Sequence, residues 1–226
     1  MPTLLITGAN RGIGLEFVKQ YAADGWDIIA CCRDPKEAKE LQAIKGKVTV
    51  EALDVTDYAA VDTLAQKYAE RAIDLLINNA GIYGTRNPAL SIGDPDVYLK
   101  VLQVNSVAPM KVALAFLPAL KRAKQAKIAT ISSRMGSVGL GTGGSYVYRA
   151  SKAAINAAMH NLAIDLKNDG ITCIVLHPGW VKTDMGGAGA DITAETSVTG
   201  LRQTIAHAEL DDTGKFFNYD GSEIPW

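Results

Sequence analysis

Thr3-Leu4-Leu5-Ile6-Thr7-Gly8-Ala9-Asn10-Arg11-Gly12-Ile13-Gly14 is the stretch that decides the fold of this chain. Thr3–Thr7 is apolar and β-branched, and reads as a strand. It runs directly into the glycines, and a helical pattern over 12–24 follows, with Ile13, Phe17, Val18 and Tyr21 near one face. Gly8, Gly12 and Gly14 would let the backbone approach a pyrophosphate. The first turn of the helix would add unpaired N–H groups at the positive end of its dipole. The spacing is Gly-x-x-x-Gly-x-Gly, which departs from the common Gly-x-Gly-x-x-Gly fingerprint. Its position, after the first strand and opening the first helix, is the context that supports nucleotide binding.

The same alternation continues outward. Asp27–Cys32 is an apolar run, 35–44 a helix opened by Pro35, 47–53 a strand, and 57–70 a helix capped by Thr56 or Asp57. Then come a strand over 73–78, a long helical pattern over 96–121 bent or interrupted by Pro109 and Pro118, and a strand over 127–132. A helix over 146–168 ends near Gly170, and 171–176 is a strand, 193–207 a helix and 215–219 a last strand. The strands read as continuous apolar runs without a polar face, as in a parallel sheet covered on both sides. The expected fold is a single-domain, Rossmann-type α/β protein over 1–226. It is a doubly wound parallel sheet of about seven strands with helices on both faces. Its ligands should bind beyond the carboxyl ends of the strands.

Composition sets the limits. The chain has 226 residues, enough for one large domain with a real core. Hydrophobic content of 48 % with 21 % charge fits a globular protein, and a net charge of -1 gives no electrostatic case for nucleic acid or an anionic membrane surface. No apolar run reaches the length of a membrane span, and no signal peptide is seen at the start. Cys31, Cys32 and Cys173 are odd in number and lie in apolar runs, so they read as buried hydrophobes in a reducing, cytoplasmic setting. His160, His177 and His207 have no metal-ligand spacing and read as structural; no metal site is expected.

The end of the second strand bears on the choice of cofactor. An acidic residue about 20 positions after the glycines would bond the ribose hydroxyls of NAD, while arginine would accept the 2′-phosphate of NADP. Arg33 and Asp34 stand side by side here, and Asp34 suits NAD. Arg11 inside the glycine loop tips the expectation to NADP, because two guanidiniums near one phosphate favour it. Further along, Tyr148 and Lys152 are four apart, so they share one helix face. At about 4 Å and an effective dielectric near 20, the ammonium would stabilise the phenolate by roughly 4 kcal/mol. That would bring a tyrosine, normally near pH 10, towards proton exchange at pH 7.

With these residues on the page, the chain resembles the short-chain dehydrogenase/reductases over nearly its whole length. Thr7–Gly14 looks like the family's Thr-Gly-x-x-x-Gly-x-Gly loop. Leu53-Asp54-Val55 is similar to the segment holding the adenine ring, and Asn78-Asn79-Ala80-Gly81 to the motif ending the fourth strand beside the cofactor. Asn105, Ser133, Tyr148 and Lys152 match the family's catalytic tetrad, and the Pro178–Thr183 segment, with Gly179, Trp180 and Val181, matches the part that contacts the nicotinamide carboxamide. The sequence around Ser132-Ser133-Arg134-Met135-Gly136-Ser137 and the short tail look most like the sniffer-type carbonyl reductases and the related C-factor proteins.

One departure stands out. Most members place the serine 13 residues before the tyrosine, whereas Ser133 is 15 before Tyr148 and Met135 takes the usual place. A two-residue insertion in the glycine-rich loop accounts for this, and Ser132 remains an alternative to Ser133.

The resemblance implies hydride transfer to a carbonyl carbon. Tyr148 would be the proton donor. Lys152 would lower the tyrosine's pKa and bond the nicotinamide ribose. Ser133 would hold the substrate oxygen, and Asn105 would bind a water leading protons towards Lys152, unless its amide merely satisfies a helix bend. The implied substrate is a small aldehyde, ketone or quinone. A NAD-linked alcohol dehydrogenase and a nucleotide-binding signalling or redox-sensing protein are the alternatives. Ala153, Ala154, Ala157 and Ala158 leave room for close helix packing, and the family often pairs that helix in a dimer, so a homodimer or homotetramer is expected. Trp180, Tyr83 and Met185 are candidates for the substrate mouth, and the glycine-rich patches at 136–144 and 186–189 read as mobile loops at a site.

Overall fold

The computed structural model describes residues 1–84 and 93–226. Its strands are β1 (Thr3–Thr7), β2 (Asp27–Cys32), β3 (Lys47–Ala52), β4 (Leu75–Asn78), β5 (Lys127–Ile131), β6 (Thr172–His177) and β7 (Phe216–Asn218). All pair in parallel in one sheet of order β3-β2-β1-β4-β5-β6-β7. The chain steps outward from β1 to β3, returns across β1 to β4, and steps outward again to β7. The order therefore reverses between β1 and β4, where an open parallel sheet leaves a crevice for ligands. The loop after β1 carries the glycines, and the loop after β4 carries Asn79, Ala80 and Gly81.

Two apolar layers cover the sheet. One face packs against α3 (Tyr58–Lys67), α5 (Ala108–Ala115) and α7 (Tyr146–Leu166). The other packs against α1 (Gly12–Ala23), α2 (Lys39–Gln42) and α8 (Ala194–His207). Adjacent Cys31 and Cys32 show the two-residue period of a strand directly. Each is buried, and they face opposite layers.

Several elements differ from the sequence expectation. The helix expected over 35–44 is confined to Lys39–Gln42, because Pro35 opens a turn instead. The strand β3 is not a buried run. It lies at the sheet edge with half-exposed and exposed residues alternating, so only one face needs apolar groups. Asp57, not Thr56, caps α3 by accepting from Ala60 N at 3.0 Å.

The long pattern over 96–121 is broken into α4 (Pro95–Leu102), a π-helical turn (Gln103–Val107), α5 and α6 (Leu117–Leu120). Pro109 and Pro118 each fall in the first turn of a new helix, where a missing N–H does no harm. Among the described residues no helix is long and apolar enough to cross a membrane.

Candidate active site

The glycine loop is a cradle that side chains would fill. A Cβ on Gly14 would lie 2.1 Å from the Gly8 carbonyl oxygen, and Gly8 has φ of +66°. Thr7 and Asn79 brace the cradle from the two central strands. The Thr7 hydroxyl accepts from Asn79 N and Ala80 N at 3.2 and 3.1 Å, and Asn79 Nδ2 donates to the carbonyls of Thr7 and Gly8, both at 3.0 Å. Asn10 and Arg11 are exposed on the loop, and Ile13 packs inward. No side chain caps α1, so its first N–H groups stay available to an anion. Uncapped donors above a space where only glycine fits suit a dinucleotide pyrophosphate, so a nicotinamide cofactor is compatible with the residues present.

Asp54 and Val55 stand beyond β3 as expected. Thr56 holds the Asp54 carboxylate with its backbone N–H at 2.9 Å and its hydroxyl at 2.7 Å, and these bonds, with Lys100 and Arg33 nearby, keep its pKa low. Arg33 and Asp34 are both exposed, and the Asp34 carboxylate is engaged by Lys36 N at 3.0 Å. Arg11 does not turn towards Arg33. It pairs with Asp184 at 3.2 Å, across the cleft, and both partners are largely exposed.

The segment from Pro178 to Asp184 forms the opposite wall. The Pro178 carbonyl accepts from Ser197, Val181 is buried, and Thr183 lies against Gly12. Gly179 takes a positive φ of 82°. The loop after it is fastened by Thr183, which receives Gly186 N at 3.1 Å, and by Trp180 Nε1 donating to the Gly186 carbonyl. The glycine-rich stretches are thus tied down by named bonds.

At the other end of the cleft, β5 delivers Ser133 and α7 delivers Tyr148 and Lys152, all three buried. Ser132 and Ser133 have different surroundings. The Ser132 hydroxyl donates to Asn156 Oδ1 at 2.5 Å, facing the core, while the Ser133 hydroxyl accepts from Met135 N at 3.2 Å and lies near enough to the Tyr148 phenol to lower its pKa. The longer serine–tyrosine spacing is absorbed after the short turn at Arg134–Gly136. A Cβ on Gly136 would come within 2.7 Å of the Lys152 backbone, so glycine there lets the turn sit directly on α7. Arg149 ties down the rest of the loop through the Met135 carbonyl and Thr142 Oγ1.

The electrostatics of the pair differ from the sequence expectation. Burial pushes the Tyr148 phenol up to about 12, with Ser133 pulling the other way and Tyr83 adding to the rise. Burial also pushes the Lys152 ammonium down to about 8. The Lys152 Nζ stands 5.8 Å from the centroid of the tyrosine ring and donates to the Ile131 carbonyl at 2.9 Å. Lost hydration at both groups outweighs an attraction over that distance. The pair therefore favours a neutral phenol.

Asn105 lies in the π-helical turn, 1 % exposed. Its Oδ1 accepts from Ile82 N at 2.9 Å, and its Nδ2 donates to the Ile82 carbonyl at 2.8 Å and to Ser151 Oγ at 3.0 Å. The Asn105 side chain thus grips the backbone after Gly81. A Cβ on Gly81 would meet both Asn105 Oδ1 and Lys152 Nζ, so the three converge.

Sequence reasoning passed over Ser151 and Ser106. Ser151 donates to the Tyr148 carbonyl at 2.8 Å and Ser106 to the Ser151 carbonyl at 2.7 Å, and together they join the π turn to α7. The serine preceding Lys152 carried no signal of its own. The π turn was hidden because its residues fit a helix equally well.

His160 and His207 bond the carbonyls of Gly214 and Gln203. His177 is pushed down to about 4, chiefly by burial. Among the described residues, no group of His, Cys, Asp and Glu could hold a metal ion.

Topology and site together define the class: a Rossmann-type oxidoreductase. The chain belongs to the short chain dehydrogenase family, whose profile matches residues 2–192. It is 41 % identical over 157 residues to the C-signal protein of Myxococcus xanthus, an alignment covering 68 % of this chain and 93 % of the relative. Its fold superposes on carbonyl reductase Sniffer of D. melanogaster with a TM-score of 0.93 and 35 % identity, covering 100 % of both chains. An NADPH-bound carbonyl reductase from chicken fatty liver matches with a TM-score of 0.92 and 37 % identity, covering 100 % of this chain and 99 % of that one. These findings bear out the sniffer and C-factor resemblance.

Proposed function

We propose that this chain is an NADPH-dependent reductase of aldehydes, ketones or quinones, with one domain over 1–226 carrying both cofactor and catalytic sites. The observation that carries this reading is the convergence of Ser133, Tyr148 and Lys152 beside the glycine cradle. The bound cofactor supplies the hydride. The Ser133 hydroxyl and the Tyr148 phenol both hydrogen-bond the substrate oxygen. Both bonds strengthen as charge develops on that oxygen. Tyr148 then donates its proton. A phenol pushed up to about 12 holds that proton throughout the neutral range, which suits reduction; alcohol oxidation needs the phenolate at rest. Lys152 would hold the nicotinamide ribose, and Asn105 fixes the loop after Gly81 beside it. Arg33 supports NADPH over NADH as an exposed guanidinium at the end of β2. The likeness to the NADPH-bound chicken enzyme supports the same choice.

A nucleotide-binding signalling protein is the second reading, favoured by the likeness to C-signal. The complete Ser133, Tyr148 and Lys152 set weighs against it, since binding alone needs none of the three. Three buried free cysteines support a reducing, cytoplasmic setting. Exposed Val107, Leu114 and Ile164 on the π turn, α5 and α7 are the surface through which a homodimer or homotetramer would form.

The test is NADPH consumption against a panel of quinones, aldehydes and diketones, with NADH and Tyr148→Phe alongside. Turnover that prefers NADPH and vanishes in the mutant supports the reductase. Tight NADPH binding without turnover of any carbonyl moves the weight to the signalling reading.

A further inference from the structure

Tyr83 follows Ile82 in the loop after β4, and its ring lies on the ring of Tyr148. The centroids are 4.5 Å apart and the planes 24° from parallel. Two independent restraints hold it there. On the backbone side, Asn105 grips both polar groups of Ile82 at 2.9 and 2.8 Å. On the ring side, the Tyr83 hydroxyl and Ser145 Oγ are 2.8 Å apart. Ser145 precedes α7 and is the one non-glycine residue with positive φ among those described, at φ 47° and ψ 39°. A non-glycine residue is held in that conformation only where its surroundings over-determine it. Tyr83 itself is half-buried, whereas Tyr148 beneath it is only 9 % exposed.

We propose that Tyr83 is a positioning residue for proton donation: clamped by Asn105 and Ser145, its ring fixes the orientation of the Tyr148 ring and keeps water from the phenol. The proposal rests on the reductase reading for its catalytic meaning. Its physical content is independent of that reading. The cover excludes solvent, and solvent exclusion is the main cause that pushes the Tyr148 phenol up to about 12. Removing the cover should admit water and let the phenol ionise at lower pH. It should also free the ring to rotate. A stacked aromatic pair restrains orientation by roughly three- to tenfold in population, so proton transfer should slow by about that factor.

The test compares Tyr83→Ala and Tyr83→Phe with wild type. Tyr148 ionisation is followed by ultraviolet difference titration, each protein read against its own Tyr148→Phe counterpart. This measurement needs neither cofactor nor substrate, so it stands even if no carbonyl is ever reduced. Tyr83→Ala is expected to bring the midpoint down by about one pH unit. In turnover, kcat should fall by roughly three- to tenfold while KM changes less. Tyr83→Phe, which keeps the ring but loses the Ser145 contact, should recover most of the midpoint. If Tyr83→Ala does not fold, Tyr83→Leu keeps much of the volume without the flat face and is read the same way. A midpoint that is unchanged or raised in the ring-deleted protein overturns the proposal.

Discussion

Lys152→Met should make the protein more stable at neutral pH while removing its activity. Lys152 is 5 % exposed, and its ammonium has the Ile131 carbonyl at 2.9 Å as its hydrogen-bond partner. Burial is the sole cause that moves it from 10.5 down to about 8. The folded value is below the unfolded one. The contribution to stability is therefore full above pH 10.5 and is lost as the pH falls to about 8. At about 1.36 kcal/mol per pH unit, that interval amounts to about 3 kcal/mol. Against a typical stability of about 5–15 kcal/mol, the difference is readily measured.

Methionine keeps the apolar stem and has nothing to titrate. Losing the bond to Ile131 adds a constant offset, so the slope with pH is the diagnostic quantity. Urea unfolding of wild type and Lys152→Met, followed by tryptophan fluorescence at a series of pH values, gives the difference directly. The wild type should lose about 3 kcal/mol relative to the variant between pH 10.5 and 8, with no further loss below. A difference that stays constant across this window, or one in which the wild type gains as the pH falls, would refute the account of a desolvated ammonium.

Other perturbations probe the remaining parts of the site. Tyr148→Phe should lower turnover by roughly 10²–10⁴-fold, while cofactor binding followed by fluorescence quenching stays within about twofold of wild type. Asn105→Ala removes both partners of the half-buried Ile82 N–H and carbonyl, at about 0.5–1.5 kcal/mol per hydrogen bond, and should lower the urea-derived stability by about 1–3 kcal/mol. A loss well under 1 kcal/mol would mean that the Ile82 clamp is not formed. Gly14→Ala places a methyl group 2.1 Å from the Gly8 oxygen, so the cradle must open; the folded protein should lose nucleotide binding in calorimetry. Arg33→Ala should weaken NADPH by roughly tenfold, the worth of one charged hydrogen bond, and leave NADH unchanged; equal affinities for NADPH in variant and wild type would remove the main support for that preference.

Much of the site was legible because its signals are local. The strand, glycine loop and helix at the start of the chain follow one another without a gap, so order alone identified the cradle. Tyr148 and Lys152 needed only the helical repeat to share a face. The doubly wound sheet followed from alternation of apolar runs and helical patterns, and every expected strand is present. The failures were of two kinds. At β3 an edge position relaxed the demand for apolar residues on both faces, and nothing in Lys47–Ala52 announces which strand ends on the edge. Over 96–121 the helical period persists through the π turn, so its break was read as a bend at the prolines alone.

What depends on residues far apart in the chain came only from the tertiary structure. The sequence by itself determined the fold class, the glycine loop between β1 and α1 and the tyrosine–lysine pair, because each rests on spacing within one or two elements. It chose Ser133 and kept Ser132 as an alternative. The end of β5 relative to α7 gives the two hydroxyls different surroundings, Ser132 bonded to Asn156 in the core and Ser133 on the side of Tyr148. It placed Arg11 beside Arg33, whereas the segment after β6 brings Asp184 to it. Coulomb attraction between near neighbours implied a lowered tyrosine pKa. The protein has the reverse, because burial is a property of everything packed around a residue, and no local spacing encodes it.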